Sequence, residues 1–229
     1  MPLVLKMVEP RSIIDLGCGD GSWLKAFEEQ GIRDLQGIEN QMPANPLIER
    51  GRVQIHNLCH PYYSKRTYDL ALCLEVAEHL PEKAASTLIE TLTGLASVVL
   101  FSAAIPHQGG DGHVNEQWNS YWHQLFLKCK YVLCDPIRSE IWNNSQVAWW
   151  YRQNMFLAVS ENHSLAGNLP GYHLQYVHPE QYLQKIKALQ SILAGNISLR
   201  SAVSILRRSI YKVRVEEQTR ASTPRNNKD

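Results

Sequence analysis

Apolar and polar positions alternate between two periods along the first hundred residues. Ser12–Leu16 is a short apolar run that ends in a glycine-rich turn. Ser22–Gln30 places Trp23, Leu24, Ala26 and Phe27 on a helical repeat and closes at Gly31, a residue suited to a helix end. Leu35–Glu39 reads as a second strand, Val53–Ile55 as a weaker third and Tyr68–Leu74 as a buried fourth. Pro81–Thr93 begins with proline and stops before Gly94, which predicts a helix, and Ala96–Ala104 predicts a fifth strand. Continuous apolar strands alternating with amphipathic helices predict a parallel sheet covered on both faces.

The rhythm changes after residue 105. A loop rich in glycine leads to a predicted helix at Asn119–Cys129. Val132–Ile137 and Trp149–Ser160 read as two strands, and the absence of a helical pattern between them predicts a hairpin. From Pro179 the period is helical again, with Tyr182, Ile186, Leu189 and Leu193 on one face and Gly195 at the end. Leu199, Val203, Leu206 and Ile210 predict a second helix, and residues 218–229 are polar throughout. The expected organisation is therefore a domain over 1–178, a helical extension over 179–217 and a disordered tail over 218–229.

Composition narrows the class. The chain has 229 residues, 44% hydrophobic and 20% charged, which is ordinary for a globular protein. No apolar run approaches the roughly 18 residues of a membrane span, and the first ten residues lack the features of a secretory leader. The five cysteines contain no C-x-x-C pair, which disfavours a disulfide framework or a structural zinc site. A reducing cytoplasm is the expected compartment. Charge is divided: residues 1–184 carry a net −6, and residues 185–229 a net +7. The basic helices read first as solvated faces whose apolar stripes pack on the body or on a second copy in a homodimer. Nucleic acid is the less favoured partner.

The chemistry is concentrated in Asp15-Leu16-Gly17-Cys18-Gly19-Asp20-Gly21. A dinucleotide turn would need G-x-G-x-x-G, and neither Gly17 nor Gly19 starts one. This turn resembles the first motif of class I methyltransferases that depend on S-adenosylmethionine (SAM). Later segments resemble the same family. Glu39 closes the second strand where an acidic side chain can accept hydrogen bonds from a ribose diol. Asn57-Leu58 stands where the family usually has an acidic residue near adenine, and Glu75-Val-Ala-Glu-His-Leu-Pro81 resembles the segment after its fourth strand. The resemblance implies a Rossmann-like α/β fold with a seven-stranded, mostly parallel sheet, a C-terminal antiparallel hairpin and SAM across the strand ends. It assigns Asp15, Gly17, Cys18, Gly19, Gly21, Glu39, Asn57, Leu58 and Glu75 to the cofactor.

The loop after the fifth strand should face the transferred methyl group. It holds His107, Asp111, His113 and Glu116, of which His113 is the expected general base, with Glu116 in the catalytic set. Together with Trp149–Asn154 it resembles a subgroup of methyltransferases acting on sugars or other small metabolites. Glu75, Glu78 and His79, completed by His113, are the candidate ligands should a divalent metal be bound, on the premise that Glu75–His79 is helical. The E-x-x-E-H pattern resembles metal-binding methyltransferases of small RNA ends or ubiquinone precursors, although the metal-free reading is preferred. Trp118 and Trp122 are the aromatic candidates for acceptor contact. No D/N-P-P-Y/F/W element follows the fourth strand and no Pro-Cys pair occurs, which disfavours methylation of a nucleobase. The expected activity is O-methylation of a small-molecule hydroxyl. RNA 2′-O-methylation and a non-catalytic SAM-binding subunit are the alternatives.

Overall fold

A computed structural model describes residues 2–171 and 176–194. The chain begins with a short helix, α1 (Pro2–Val8), and enters β1 (Ser12–Leu16), α2 (Ser22–Glu29), β2 (Asp34–Glu39), β3 (Val53–Ile55) and β4 (Leu70–Leu74). Then come α3 (Ala85–Leu95), β5 (Val98–Ser102), α4 (Asn119–Lys128), β6 (Tyr131–Cys134), α5 (Arg138–Ile141), α6 (Trp149–Asn154), β7 (Phe156–Ser160) and α7 (Pro179–Leu193).

The seven strands form one sheet in the order β3-β2-β1-β4-β5-β7-β6. The first five are mutually parallel; β7 runs antiparallel to both β5 and β6. The expected seven-stranded, mostly parallel Rossmann-like sheet is thus present. Its central strands are buried on both faces because the period of two sends neighbours to opposite sides. Ile14, Ala71, Val99 and Phe101 meet Leu88 and Leu92 of α3 and Trp122 and Phe126 of α4. Ile13, Leu70, Leu72 and Leu100 meet Val4 of α1 and Leu24 and Phe27 of α2 on the other face.

Three local expectations are corrected. Residues Trp149–Asn154 form a helix, so the last strand starts only at Phe156. The apolar look of Trp149-Trp150-Tyr151 reflects aromatic packing instead: Tyr151 meets Trp23 edge-on with centroids 5.1 Å apart. Second, β6 and β7 pair as the expected antiparallel partners, but α5 and α6 lie between them, so the connection is no simple hairpin. Third, the helix expected from Pro81 begins with a 3-10 turn at Glu82–Ala84 and becomes α-helical at Ala85.

The chain divides after Gln181 into two units, three residues beyond the boundary expected at 178. The first part of the C-terminal extension is helical through Leu193. The second predicted helix and the 218–229 tail lie outside the described residues. Among the described residues no helix is long and apolar enough to cross a membrane.

Candidate active site

Strand order reverses direction between β1 and β4, and ligands of open α/β sheets bind outside the strand ends at such a point. A cleft of about 530 Å³ opens there. Gly17, Glu39, Asn57, Leu58 and Glu75 line it, which brings together five of the nine residues assigned to the cofactor. Asn40, Cys59, Val76, His79 and Leu80 complete the wall. Among these lining residues there are two carboxylates and no Lys or Arg.

The glycine turn is shaped by backbone need. Gly17, Gly19 and Gly21 all have positive φ, at 77°, 55° and 84°. A Cβ on Gly17 would stand 2.5 Å from Val76 Cγ2, and one on Gly21 2.9 Å from Ile48 Cγ1. Gly19 differs, since its added Cβ would meet nothing within 4 Å. Its N–H donates to Glu39 Oε2 at 2.8 Å, and the N–H of Asn40 donates to Oε1 of the same carboxylate at 2.7 Å. A carboxylate has about four acceptor sites, so two remain for a diol in the cleft. Asn57 Oδ1 accepts the N–H of Cys59 at 2.9 Å, which fixes the chain after β3 at the cleft wall.

Asp15, Cys18, Gly19 and Gly21 are not among the residues that line the cleft. Cys18 packs under Gly37, and burial beside Asp15 and Glu39 pushes its thiol up to about 12, which leaves it inert as a nucleophile. Asp15 is 2% exposed, and its Oδ2 has no hydrogen-bond partner. Burial, and then the charge of Glu39, push its carboxyl up to about 7. A buried carboxyl with an unused oxygen beside an anionic cleft suits a cationic ligand. SAM carries an ammonium and a sulfonium, so charge, unused acceptors and cleft volume all fit it.

The side expected to face the acceptor is built from the turn after β4 and the loop after β5. Glu116 organises the loop: Oε2 accepts the N–H of His107 at 2.7 Å, and Oε1 accepts that of Gly109 at 2.6 Å. Oε1 also lies 3.0 Å from His113 Nδ1. These bonds hold the Glu116 carboxyl below the usual carboxylate range despite partial burial. With Nδ1 protonated toward Glu116, His113 presents Nε2 as an acceptor. His79 and His113 meet edge to face with centroids 4.9 Å apart, and His79 reaches the cleft wall.

The metal set is reduced by the structure. Glu75–His79 is no helix: Glu75 sits at φ 56° and only Ala77–His79 makes a 3-10 turn. Ligand atoms of Glu78, His79 and His113 converge within 4.8 Å of one another, without Glu75. The side chain of Glu75 turns instead to Gln108 and Asn154. Glu78 is fully buried; its Oε1 accepts the Ala104 N–H at 3.1 Å, and its carboxyl lies against that of Glu75, with which it can share a hydrogen bond when protonated. Burial first, and then the charge of Glu75, push its carboxyl up to about 8.

Two further expectations separate here. Trp122 is wholly buried against Phe101, centroids 5.3 Å apart, so it belongs to the core and not to an acceptor surface. Trp118 remains partly exposed at the start of α4. The sequence reading missed Val76, Leu80, Cys59 and Asn40 in the cleft wall. It also passed over the role of Gln108, Gln153 and Asn154. A polar Gln-Asn pair directly ahead of the apolar run Phe156–Val159 was the available signal.

Comparison with known proteins agrees with this geometry. The family described as "Methyltransferase domain" matches residues 2–156, well over half of the chain. The chain belongs to that family, and with this sheet it is a class I methyltransferase domain, the class whose methyl donor is SAM. The solved structure of DesVI from Streptomyces venezuelae is 13% identical, with a TM-score of 0.50 over 69% of this chain and 88% of that one. NcsB1, an O-methyltransferase from neocarzinostatin biosynthesis solved with SAM and 2-hydroxy-5-methyl naphthoic acid, is 15% identical. Its TM-score is 0.51, over 67% of this chain and 50% of that one. The magnesium protoporphyrin IX methyltransferase of Synechocystis PCC 6803, solved with bound S-adenosylhomocysteine, is 16% identical, with a TM-score of 0.49 over 66% and 74%. At these identities the likeness is one of fold. No curated protein matches the chain.

Proposed function

We propose that this chain is an O-methyltransferase that binds SAM in the cleft between Glu39 and Glu75 and methylates a hydroxyl of a small molecule, such as a sugar or natural-product intermediate. One observation carries the reading: the His113–Glu116 pair stands beside His79, which itself walls the cofactor cleft. SAM supplies an electrophilic methyl group on a sulfonium. The chain supplies position and proton transfer. Glu39 and the Gly17–Gly21 turn hold the nucleoside end, and Leu58 and Asn57 flank the base. Asp15 and Glu75 offset the positive charge. His113 Nε2 takes the acceptor proton as the oxygen attacks, while Glu116 keeps Nδ1 protonated and stabilises the imidazolium that forms. A hydroxyl suits this arrangement, because a neutral oxygen becomes nucleophilic enough only as its proton leaves.

Tritium transfer from labelled SAM to a panel of hydroxyl acceptors, in wild type and His113→Ala, tests the reading. Transfer by wild type that is lost in the variant, with S-adenosylhomocysteine binding intact, supports it. Undiminished transfer in the variant removes His113 as base.

The convergence of Glu78, His79 and His113 supports a second reading, in which a divalent ion binds the acceptor oxygen. Carboxylate and imidazole together suit Mn²⁺ better than Mg²⁺. His113 Nε2 would then be a ligand and could not also be the base. Transfer that survives exhaustive chelation excludes this reading. A 2′-hydroxyl of RNA has the same chemistry as a sugar hydroxyl, and salt-sensitive RNA binding would favour it. S-adenosylhomocysteine binding with no transfer to any acceptor would favour a supporting subunit.

A further inference from the structure

Glu75 is a non-glycine residue held at φ 56°, a conformation that costs of order 1 kcal/mol for a side-chain-bearing residue. Glycine would relieve that cost, so the side chain is expected to have a use. Its N–H donates to Ser102 O at 3.0 Å and lies 3.2 Å from Ser102 Oγ, which pins the turn to the end of β5. Each carboxylate oxygen then receives one amide N–H: Oε2 from Gln108 Nε2 at 3.1 Å and Oε1 from Asn154 Nδ2 at 3.2 Å.

The amides also hold one another. Asn154 Nδ2 donates its second proton to Gln108 Oε1 at 2.9 Å. Gln153 Nε2 donates to Gln108 Oε1 at 3.2 Å and to Asn154 Oδ1 at 3.0 Å, and Gln153 Oε1 accepts the His178 N–H at 2.7 Å. Gln153 and Asn154 are wholly buried and Gln108 is 8% exposed. A buried polar network with its donors and acceptors matched specifies geometry strongly, because any displaced member leaves an unpaired group. Neutral amides provide this without placing positive charge beside a cleft that must receive a cation.

We infer that Gln108 and Asn154, braced by Gln153, are positioning residues that set the Glu75 carboxylate in the cleft wall and tether the acceptor loop to it. The inference rests on the reading of this cleft as the methyl-transfer site. The loop is then anchored along its length. Gln108 ties its start to Glu75 and α6, and also exchanges hydrogen bonds with Ile105 in both directions. Glu116 ties its far end to His113. Next to His113 the N–H groups of Val114 and Asn115 donate to Glu78 O at 2.8 and 3.0 Å, so residues 153 and 154 position the start of the loop while Glu78 holds the part that carries the proton acceptor.

Two measurements test this. The first is a double-mutant cycle on S-adenosylhomocysteine affinity by calorimetry. Asn154→Leu is expected to weaken binding about tenfold, the usual scale for residues supporting a ligand contact. In a Glu75→Ala background the same change is expected to add less than about twofold, since its effect runs through Glu75. Fully additive losses overturn the inference. The second is hydrogen exchange without ligand. Amides of Ile105, Gln108 and Gly109 are expected to exchange at least about tenfold faster in Asn154→Leu and Gln108→Ala, with β4 and β5 unchanged. Asn154→Asp, nearly the same shape but carrying a carboxylate toward Glu75, is expected to loosen the loop more than Asn154→Leu. Unchanged loop exchange in these variants overturns the tether. If Asn154→Leu does not fold, Gln108→Ala serves in both arms. Failure of the wild type to bind S-adenosylhomocysteine would defeat the methyl-transfer reading, while the exchange arm would still decide the tether.

Discussion

The N–H of Gly19 donates to Glu39 Oε2 at 2.8 Å, joining the turn after β1 to the end of β2 across twenty residues of chain. One carboxylate thereby shapes the glycine turn and closes the cleft wall. Glu39→Ala is expected to weaken S-adenosylhomocysteine binding by roughly 100-fold, since charge-assisted hydrogen bonds are worth about 1.5–3 kcal/mol each. Glu39→Gln keeps one acceptor oxygen and should lose about tenfold. Calorimetry on both variants checks the order; equal affinity for Glu39→Ala and wild type would remove Glu39 from the site.

Asp15 gives the apoprotein a pH dependence of defined sign. Burial and the charge of Glu39 push its folded carboxyl up to about 7, well above the usual carboxylate value of 3.8. The folded state therefore holds the proton that the unfolded state has already released, and this contribution to stability is lost as pH rises from about 4 through 7. Urea unfolding between pH 4 and 8 should show stability falling across that window. Asp15→Asn should flatten the slope. Binding of a cationic ligand favours the ionised carboxylate, so the affinity for SAM, which carries the sulfonium, should rise with pH through the same range in wild type and less in the variant.

Gly17 and Gly19 should respond differently to alanine. Both pay the left-handed backbone cost, about 1–2 kcal/mol. Only Gly17→Ala adds a clash, 2.5 Å from Val76 Cγ2 in the cleft wall. Thermal unfolding should show Gly17→Ala as the more damaging change, and Val76→Ala should recover part of its loss but none of that of Gly19→Ala.

Glu78→Gln separates burial cost from metal binding. Burial and the charge of Glu75 push the Glu78 carboxyl up to about 8, so the folded state keeps a proton the unfolded state releases near 4.5, and this stability is lost as pH rises from about 4.5 through 8. The variant should lose less stability than wild type between pH 5 and 8. If the second reading of the site holds, Mn²⁺ binding measured by calorimetry should disappear in the same variant.

Much of the fold was readable along the chain. Ile13, Ile14, Leu70 and Leu72 lie in strands buried on both faces, which makes their runs continuously apolar, and this marks a parallel sheet without reference to any neighbour. The Asp15–Gly21 turn was equally legible, because three alternating glycines answer to a local backbone requirement, positive φ. The predicted strand over Trp149–Asn154 failed for a matching reason. Arg152, Gln153 and Asn154 are buried polar residues paired with distant partners, and no hydrophobic period records such burial.

By itself, then, the sequence determined the first five strands with α2 and α3 among them, the glycine turn and the presence of Glu39 at a strand end, since each depends on residues adjacent in the chain. Tertiary structure decided which way side chains turn where several segments meet. It tied Glu75 to Gln108 and Asn154 and left it out of the Glu78, His79 and His113 convergence, and it put Trp122 into the core beside Phe101. The physical reason is that hydrogen-bond matching and packing at these points are settled between residues tens of positions apart. Spacing within E-x-x-E-H cannot encode a choice made by residues 108 and 154.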